Sequence, residues 1–313
     1  MAFVSSQRVM RSQELIDSVL TFARKQEVGS RSSDSELVRK RKRERERITA
    51  ISTELVSRLR SLSRQFPDID ALNEFYRELV SCEFDIHTYK RILSRVQNSA
   101  QIIHSLVRIH RGRLEAAQKE EDVASCMSSF IGRVCSAVND LDSSFIELES
   151  IRRKLLSLPI IKELPTVCIA GFPNVGKTTL FARLTGSQAE INAYAFTTKR
   201  LNVGYIRYEH HRVQVIDTPG TLHRDHMNAI ERQADTALKY VADLIVYVFD
   251  PTEQYSREQQ MRLLEHVSSF SAPVVCIVSK KDLVSPEQVQ EFVSGIQIIS
   301  EDELQSRMRS LVL

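Results

Sequence analysis

The 313-residue chain has room for one large or two ordinary domains, each able to bury a core. With 42% hydrophobic and 27% charged residues, a net charge of only +3 and no apolar run near the ~20 residues of a bilayer span, composition excludes a helical membrane protein, and no membrane partner is expected. Five scattered cysteines (Cys82, Cys126, Cys135, Cys168, Cys276) form no CxxC pair, so reduced thiols in a cytoplasm are expected rather than a disulfide framework or a zinc site.

The N-terminal stretch lacks the continuous apolar core of a secretory signal and soon turns amphipathic. The first half then reads as helix throughout. Ile48, Ile51, Leu55, Leu59 and Leu62 recur every three or four residues and draw one apolar stripe. Leu72, Phe75, Tyr76 and Leu79 repeat the pattern, as do Ile92, Val96, Ile103 and Leu106 in looser register. Pro67 and Asp68 break the chain between two segments, and Asp68 or Asp70 is placed to cap the next helix. Four to six helices without any alternating strand pattern predict an all-α bundle over 1–160.

Within that half, Arg39 to Arg47 reads RKRKRERER. Glu44 and Glu46 alternate with arginines and suit a solvated face with local ion pairs. A nucleic-acid-facing helix is the functional alternative, and a nuclear import signal a weaker third. Residues 1–160 carry 27 Lys and Arg against 22 Asp and Glu, whereas 161–313 carry 16 against 18, so the halves differ in sign as well as in pattern.

After the linker 158–164, which Pro159 and Pro165 keep out of helix, the rhythm changes. Six β-rich runs are predicted at Thr166–Ala170, Asn202–Tyr208, Arg212–Asp217, Leu244–Asp250, Val274–Ser279 and Gln297–Ile299. Helices fill the gaps near 177–186, 227–241, 256–269, 286–293 and 301–311. Such alternation predicts an α/β domain over 161–313, a mostly parallel six-stranded sheet wrapped by helices.

Gly171, Phe172, Pro173, Asn174, Val175, Gly176, Lys177 and Thr178 fit GxxxxGK[ST], following an apolar strand and opening a helix. The glycines let the backbone point its N–H groups at phosphate oxygens, and the helix N-terminus adds its positive end. Lys177 suits the β- and γ-phosphates, the Thr178 hydroxyl suits Mg²⁺, and Thr179 joins the phosphate-binding set. Asp217 closes a predicted strand in Asp217-Thr218-Pro219-Gly220, where a carboxylate can hold Mg²⁺ through water and the Gly220 N–H can reach the γ-phosphate. A plain strand-ending turn is the alternative there. In Ala193-Tyr194-Ala195-Phe196-Thr197-Thr198-Lys199, Thr198 is preferred over Thr197 to complete the metal shell and sense the γ-phosphate. Lys177, Thr198 and Gly220 are the residues expected to act in hydrolysis.

Ser279-Lys280-Lys281-Asp282 sets the choice of base. A carboxylate accepts from N1 and N2 of guanine, whereas adenine would leave it unpaired, at ~1–3 kcal/mol per buried polar group. Lys280 would lie over the base plane. Ser300, opening the last helix, is placed to offer a backbone N–H to the guanine oxygen, although serine caps helices in any context.

With these motifs in order, the chain resembles the TRAFAC GTPases, and within them the nucleolar GTP-binding protein family, the Nog branch of the Obg-like proteins. GFPNVGKT, AYAFTTK, DTPG and the run from Asn228 to Leu238 carry the resemblance. Upstream, Phe66-Pro67-Asp68-Ile69-Asp70, Phe75-Tyr76 and His87-Thr88-Tyr89-Lys90 are similar to the family's helical N-terminal domain. The resemblance implies GTP and GDP as ligands with Mg²⁺, and a role in assembling the large ribosomal subunit through its precursor RNA. A regulatory switch acting on a protein effector, with the helical half as docking module, is the alternative. Since the sequence given stops after the G domain, a compact archaeal-type member in a cytoplasm is expected.

Two departures bear on activity. Ser279 stands where the family has asparagine, which predicts nucleotide binding weaker by about 1 kcal/mol for one lost hydrogen bond. Thr221 stands where Ras-type enzymes place the water-orienting glutamine, and His223 and His226 nearby are no clear substitute. Intrinsic hydrolysis is therefore expected to be slow, awaiting a protein activator or a cation. Related GTPases with asparagine at the position of Asn174 bind K⁺ there, which makes K⁺ a candidate cofactor; a plain loop role for Asn174 is the alternative.

Overall fold

The computed structural model describes residues 4–25, 35–186, 201–220, 229–252 and 254–312. The chain divides into two compact units, 1–68 with 84–156 and 69–83 with 157–313.

The first unit is all helical. Helices α1 (Ser12–Arg24) and α2 (Glu36–Arg64) precede the excursion at 69–83. The unit resumes with α4 (Ile86–Ala116), α5 (Glu120–Asn139) and α6 (Asp142–Leu156). The two long helices α2 and α4 pack along one another, and α4 packs on α5. The predicted stripe on α2 is the reason: Ile48, Ile51, Leu55 and Leu59 are buried, facing a core with Ile92, Val96, Ile103 and Leu106 of α4. Tyr89, buried at the start of α4, donates its hydroxyl to the Pro67 carbonyl at 2.6 Å and ties the helix entry to the end of α2. Glu149 on α6 holds the N-terminal strap. It takes Arg152 Nε at 2.7 Å and the Val9 N–H at 3.0 Å, while Arg152 donates to the Ser6 carbonyl at 2.9 Å.

The basic run 39–47 lies on α2, and three of its seven basic side chains face carboxylates. Lys40 meets Glu120 at 2.8 Å, Arg47 meets Glu44 at 2.9 Å, and Arg43 lies 3.9 Å from the same carboxylate. Glu44 itself is buried.

Helix α3 (Glu74–Glu83) belongs with the second unit, although the sequence places it in the expected helical half of 1–160. Its cap is Asn73, whose Oδ1 accepts from Tyr76 N at 3.0 Å, and neither Asp68 nor Asp70; Asp70 lies within a short 3₁₀ turn, Ile69–Ala71, and Asp68 precedes it. α3 packs on α8 (Ala229–Tyr240), burying Phe75, Leu79 and Val80. Gln233 of α8 donates to Glu83 at 2.7 Å. Tyr76 pins the linker, accepting from Ile161 N at 2.8 Å and donating to the Pro159 carbonyl at 3.3 Å.

The rest of this unit is a five-stranded sheet in the order β2-β3-β1-β4-β5. Its strands are β1 (Thr166–Ala170), β2 (Asn202–Tyr208), β3 (His211–Asp217), β4 (Leu244–Phe249) and β5 (Val274–Val278). β1, at the centre, runs parallel to β3 and β4, β4 is parallel to β5, and β2 is antiparallel to β3. Helices α7 (Lys177–Thr185), α8, α9 (Arg257–Ser268), α10 (Pro286–Phe292) and α11 (Glu301–Ser310) complete it. β1 and β4 are buried along their whole length, as near-continuous apolar runs require when both faces are covered.

The predicted sixth strand at 297–299 is corrected to a single bridge, Ile298 opposite Cys276. Gly295, at φ 77°, turns the chain toward β5, and Ser300 already caps α11 by accepting from Glu303 N at 3.1 Å. Too few residues lie between those two points to extend the pairing.

Candidate nucleotide site

Parallel strands deliver their C-terminal ends to one edge of the sheet, where open α/β sheets bind ligands. β1 ends at Ala170 and the chain enters the loop 171–176 before α7. Gly171 lies at φ 145°, and a Cβ there would meet the Val248 carbonyl oxygen at 2.8 Å, so no side chain fits. Asn174 is exposed at φ 62°, a left-handed conformation that asparagine tolerates better than most residues. Phe172 and Val175 are buried, with the Phe172 ring against Tyr255 at 4.4 Å, and Pro173 is half-buried; the loop is braced from beneath.

Lys177 opens α7 and is only 6% exposed. It donates to the carbonyls of Gly171 at 3.1 Å and Phe172 at 2.6 Å, which curls the side chain back over the loop. Burial pushes its pKa down to about 8, opposed by the Asp217 charge.

Register places Asp217. Ile169 of β1 is opposite Asp217 of β3, so the carboxylate comes to the edge beside the loop. Thr218 fixes the strand end by donating from N and Oγ1 to the Ile169 carbonyl, at 3.3 and 2.7 Å. Asp217 Oδ2 accepts from Thr178 Oγ1 at 2.7 Å and from Asn202 Nδ2 at 3.0 Å. Its other oxygen, Oδ1, is buried with no hydrogen-bond partner among the described residues. An acceptor-only carboxylate oxygen beside a threonine hydroxyl oxygen offers the oxygen donors that a hard cation takes, while the Lys177 ammonium nearby suits the phosphate oxygens.

Gly220 closes the other side. A Cβ on it would collide with Pro173 N and Cα and lie 2.9 Å from the Phe172 carbonyl carbon, so the backbone following β3 reaches the phosphate loop only because position 220 lacks a side chain.

The loop after β5 joins the same edge. Ser279 Oγ lies 2.6 Å from the Val175 carbonyl and 2.9 Å from the Phe249 carbonyl, and its N–H donates to Phe249 O at 2.9 Å. The shorter side chain therefore does reach the phosphate loop, and what it lacks relative to asparagine is a second polar atom for the base. Lys280, at φ 50°, pairs with the buried Asp250 at 2.6 Å. That contact stretches the lysine stem along the end of β4. Asp282 sits exposed in the 3₁₀ turn Lys281–Leu283. Ser300 acts as the cap of α11.

Thus the structure brings residues 171–178, Asp217, Gly220, Ser279 and Lys280 to one edge, with Thr179 on the exposed side of α7. Thr198, Thr221, His223 and His226 lie outside the described residues. Sequence reasoning missed Asn202, Thr218 and Asp250. Asp250 carried a signal, being an acidic residue at the end of a predicted strand. Asn202 carried none, because its partner is set by the antiparallel register that places it opposite Asp217.

Residues 3–162 match the family described as NOG1 N-terminal helical domain, and residues 166–280 match the one described as 50S ribosome-binding GTPase. An uncharacterized protein of Methanocaldococcus jannaschii is 35% identical over 252 residues, 79% of this chain and 71% of that protein. Nucleolar GTP-binding protein 1 of Drosophila melanogaster is 32% identical over 241 residues, 75% of this chain but only 37% of that protein. A solved structure titled as nucleolar GTP-binding protein 1 of Plasmodium falciparum shares 23% identity with a TM-score of 0.38, covering 49% of this chain and 89% of that one. The chain spans little more than a third of the nucleolar relatives it matches. Helical N-terminal region, phosphate loop and relatives agree, and the chain belongs to the nucleolar GTP-binding protein 1 family of P-loop GTPases.

Proposed function

We propose that the chain binds GTP with Mg²⁺, hydrolyses it slowly, and serves in assembly of the large ribosomal subunit. The observation that carries the nucleotide reading is the Lys177–Thr178–Asp217 cluster, in which a buried carboxylate oxygen without a partner faces a loop built to take phosphate. Thr178 and Asp217 would hold the metal, with Thr198 as the third ligand expected from sequence. Bound there, Mg²⁺ would neutralise the charge developing on the phosphates. Lys177 would exchange its two carbonyl partners for phosphate oxygens, and the Gly220 N–H would meet the γ-phosphate. Asp282 would accept from guanine while Lys280, held at its ammonium by Asp250, covers the base.

Slow turnover rests on Thr221, which offers no side chain suited to orient water. K⁺ at Asn174 would supply charge in place of an arginine finger; turnover should then rise in K⁺ over Na⁺ and fall in Asn174→Ala, and equal rates in both salts would sink that part. The ribosomal reading rests on the family and is tested by co-sedimentation with large subunits in GTP, GDP and a non-hydrolysable analogue. Nucleotide-dependent pelleting is the expected result. Salt-insensitive capture of a single protein, without subunits, would favour an effector switch instead.

A further inference from the structure

Helix α4 contains no acidic residue from Ile86 to Leu114, yet it carries Lys90, Arg91, Arg95, Arg108, Arg111 and Arg113. At 1.5 Å per residue this is a carboxylate-free rod of roughly 43 Å. Its solvent-facing ridge is neutral and polar, with Ser94, Asn98, Gln101 and Ser105 all exposed.

A groove runs on each side of that ridge. Toward α5 lies one of about 700 Å³, lined by Arg91, Arg95, Asn98, Ile102, Arg133 and Ser136 among others. Arg95 donates to the Asp140 main-chain carbonyl at 2.8 Å and Arg91 reaches the Thr88 hydroxyl at 3.4 Å; neither meets a carboxylate, and Asp140 at the rim is the groove's one acidic lining residue. Toward α2 lies a groove of about 320 Å³ lined by Arg60, Ser63, Arg64, Gln97, Gln101 and His104. Ser63 Oγ is buried in its wall with no hydrogen-bond partner among the described residues, an atom a ligand would satisfy. Arginines 60 and 64, like 91 and 95, stand one helical turn apart, a spacing that suits neighbouring phosphates on one strand. Ile102, 51% exposed between the arginines, offers an apolar face to a ribose or base.

The α2 basic run contrasts with this surface. Its Lys40, Arg43 and Arg47 already face carboxylates, and the acidic N-terminus of α5 (Glu120, Glu121, Asp122) lies beside Lys40.

We propose that the α4 ridge and its two flanking grooves form the surface on which this chain holds an RNA phosphate backbone, with Arg60, Arg64, Arg91, Arg95 and Arg133 as the phosphate ligands. The assignment rests on the ribosomal reading above and places its contact on α4 instead of the more conspicuous run 39–47. Guanidiniums that meet no carboxylate among the described residues, flanking neutral amides and hydroxyls, fit a polyanion whose sugars and bases also need donors.

The test uses the full chain and a fluorescent RNA stem-loop, read by anisotropy across a salt series, with poly-glutamate as a competing acidic peptide. Arg91→Glu with Arg95→Glu and Arg133→Glu is expected to weaken RNA binding at least 30-fold and to flatten the dependence on salt. Arg39→Glu with Arg43→Glu and Arg45→Glu is expected to change it less than threefold. Glutamine in place of glutamate at 91, 95 and 133 should give an intermediate loss, and unchanged GTP affinity and melting temperature would exclude misfolding. The proposal is overturned if the α4 variants bind like the original chain, if the 39–45 variant loses as much, or if poly-glutamate competes as well as RNA. Failure of the original chain to bind either RNA or subunits would instead remove the ribosomal reading itself.

Discussion

Lys177 is held in the free protein by two carbonyls, in a setting dry enough to bring its pKa down to about 8. Below that value the ammonium is already charged when phosphate arrives. Above it, a proton must be taken up first. Nucleotide affinity should therefore be flat at neutral pH and fall by up to about tenfold per unit from about pH 8 toward the ordinary lysine value. Calorimetry in buffers of different ionisation enthalpy should show uptake of about half a proton near pH 8, and none would argue against a depressed lysine. Gly220 makes a second claim at this scale. Gly220→Ala should cost about 1–3 kcal/mol in stability by forcing the strand end off the Pro173 backbone, and nucleotide affinity should drop with it. A chemical-denaturation midpoint and a GDP titration check both. The phosphate loop, Asp217 and Gly220 were legible in the sequence because each belongs to a short contiguous motif. Asn202 and the pairing of Lys280 with Asp250 were not, since strand register, and not sequence neighbourhood, makes those contacts.

At the scale of elements, strands and helices of the second unit fall where periodicity put them, to within a residue or two. The exception is 297–299, where a bridge replaces a strand because a turn and a helix cap compete for the same few residues. In the first unit the apolar stripes locate the long helices, whereas the absence of acidic residues over 29 positions of α4 forms no local motif, unlike the compact charge run 39–47. Anchoring of the N-terminal strap was invisible for a similar reason, as Glu149 and Val9 are far apart in the chain. Arg152, the Val9 N–H and Arg153 together hold the Glu149 carboxyl down to about 2. A depressed carboxylate stabilises the fold above its ordinary pKa and loses that contribution as pH falls toward its folded value. Glu149→Gln should thus cost about 1–3 kcal/mol at pH 7, with the difference from the original chain vanishing near pH 2. Urea midpoints measured across that range test the sign.

For the whole molecule, the informative feature is that α3 packs in the second unit while its neighbours in sequence pack in the first. Phe75, Leu79 and Val80 are buried there, each contributing about 1.5–3 kcal/mol. A fragment starting at Leu158 would keep every nucleotide motif yet leave α8 without this cover. It should melt well below the full chain or aggregate, and adding a peptide of residues 69–83 should restore part of the loss. Equal melting of fragment and full chain would contradict that role for α3.

The same path has a meaning in evolutionary terms. The chain passes between units near residues 68, 83 and 156, so no single cut separates one unit from the other. Recombination at the linker would hand on a nucleotide-binding half stripped of one of its own helices, and the recipient would inherit an exposed apolar flank. Exchange of halves at the linker would therefore carry a folding cost that falls on the recipient.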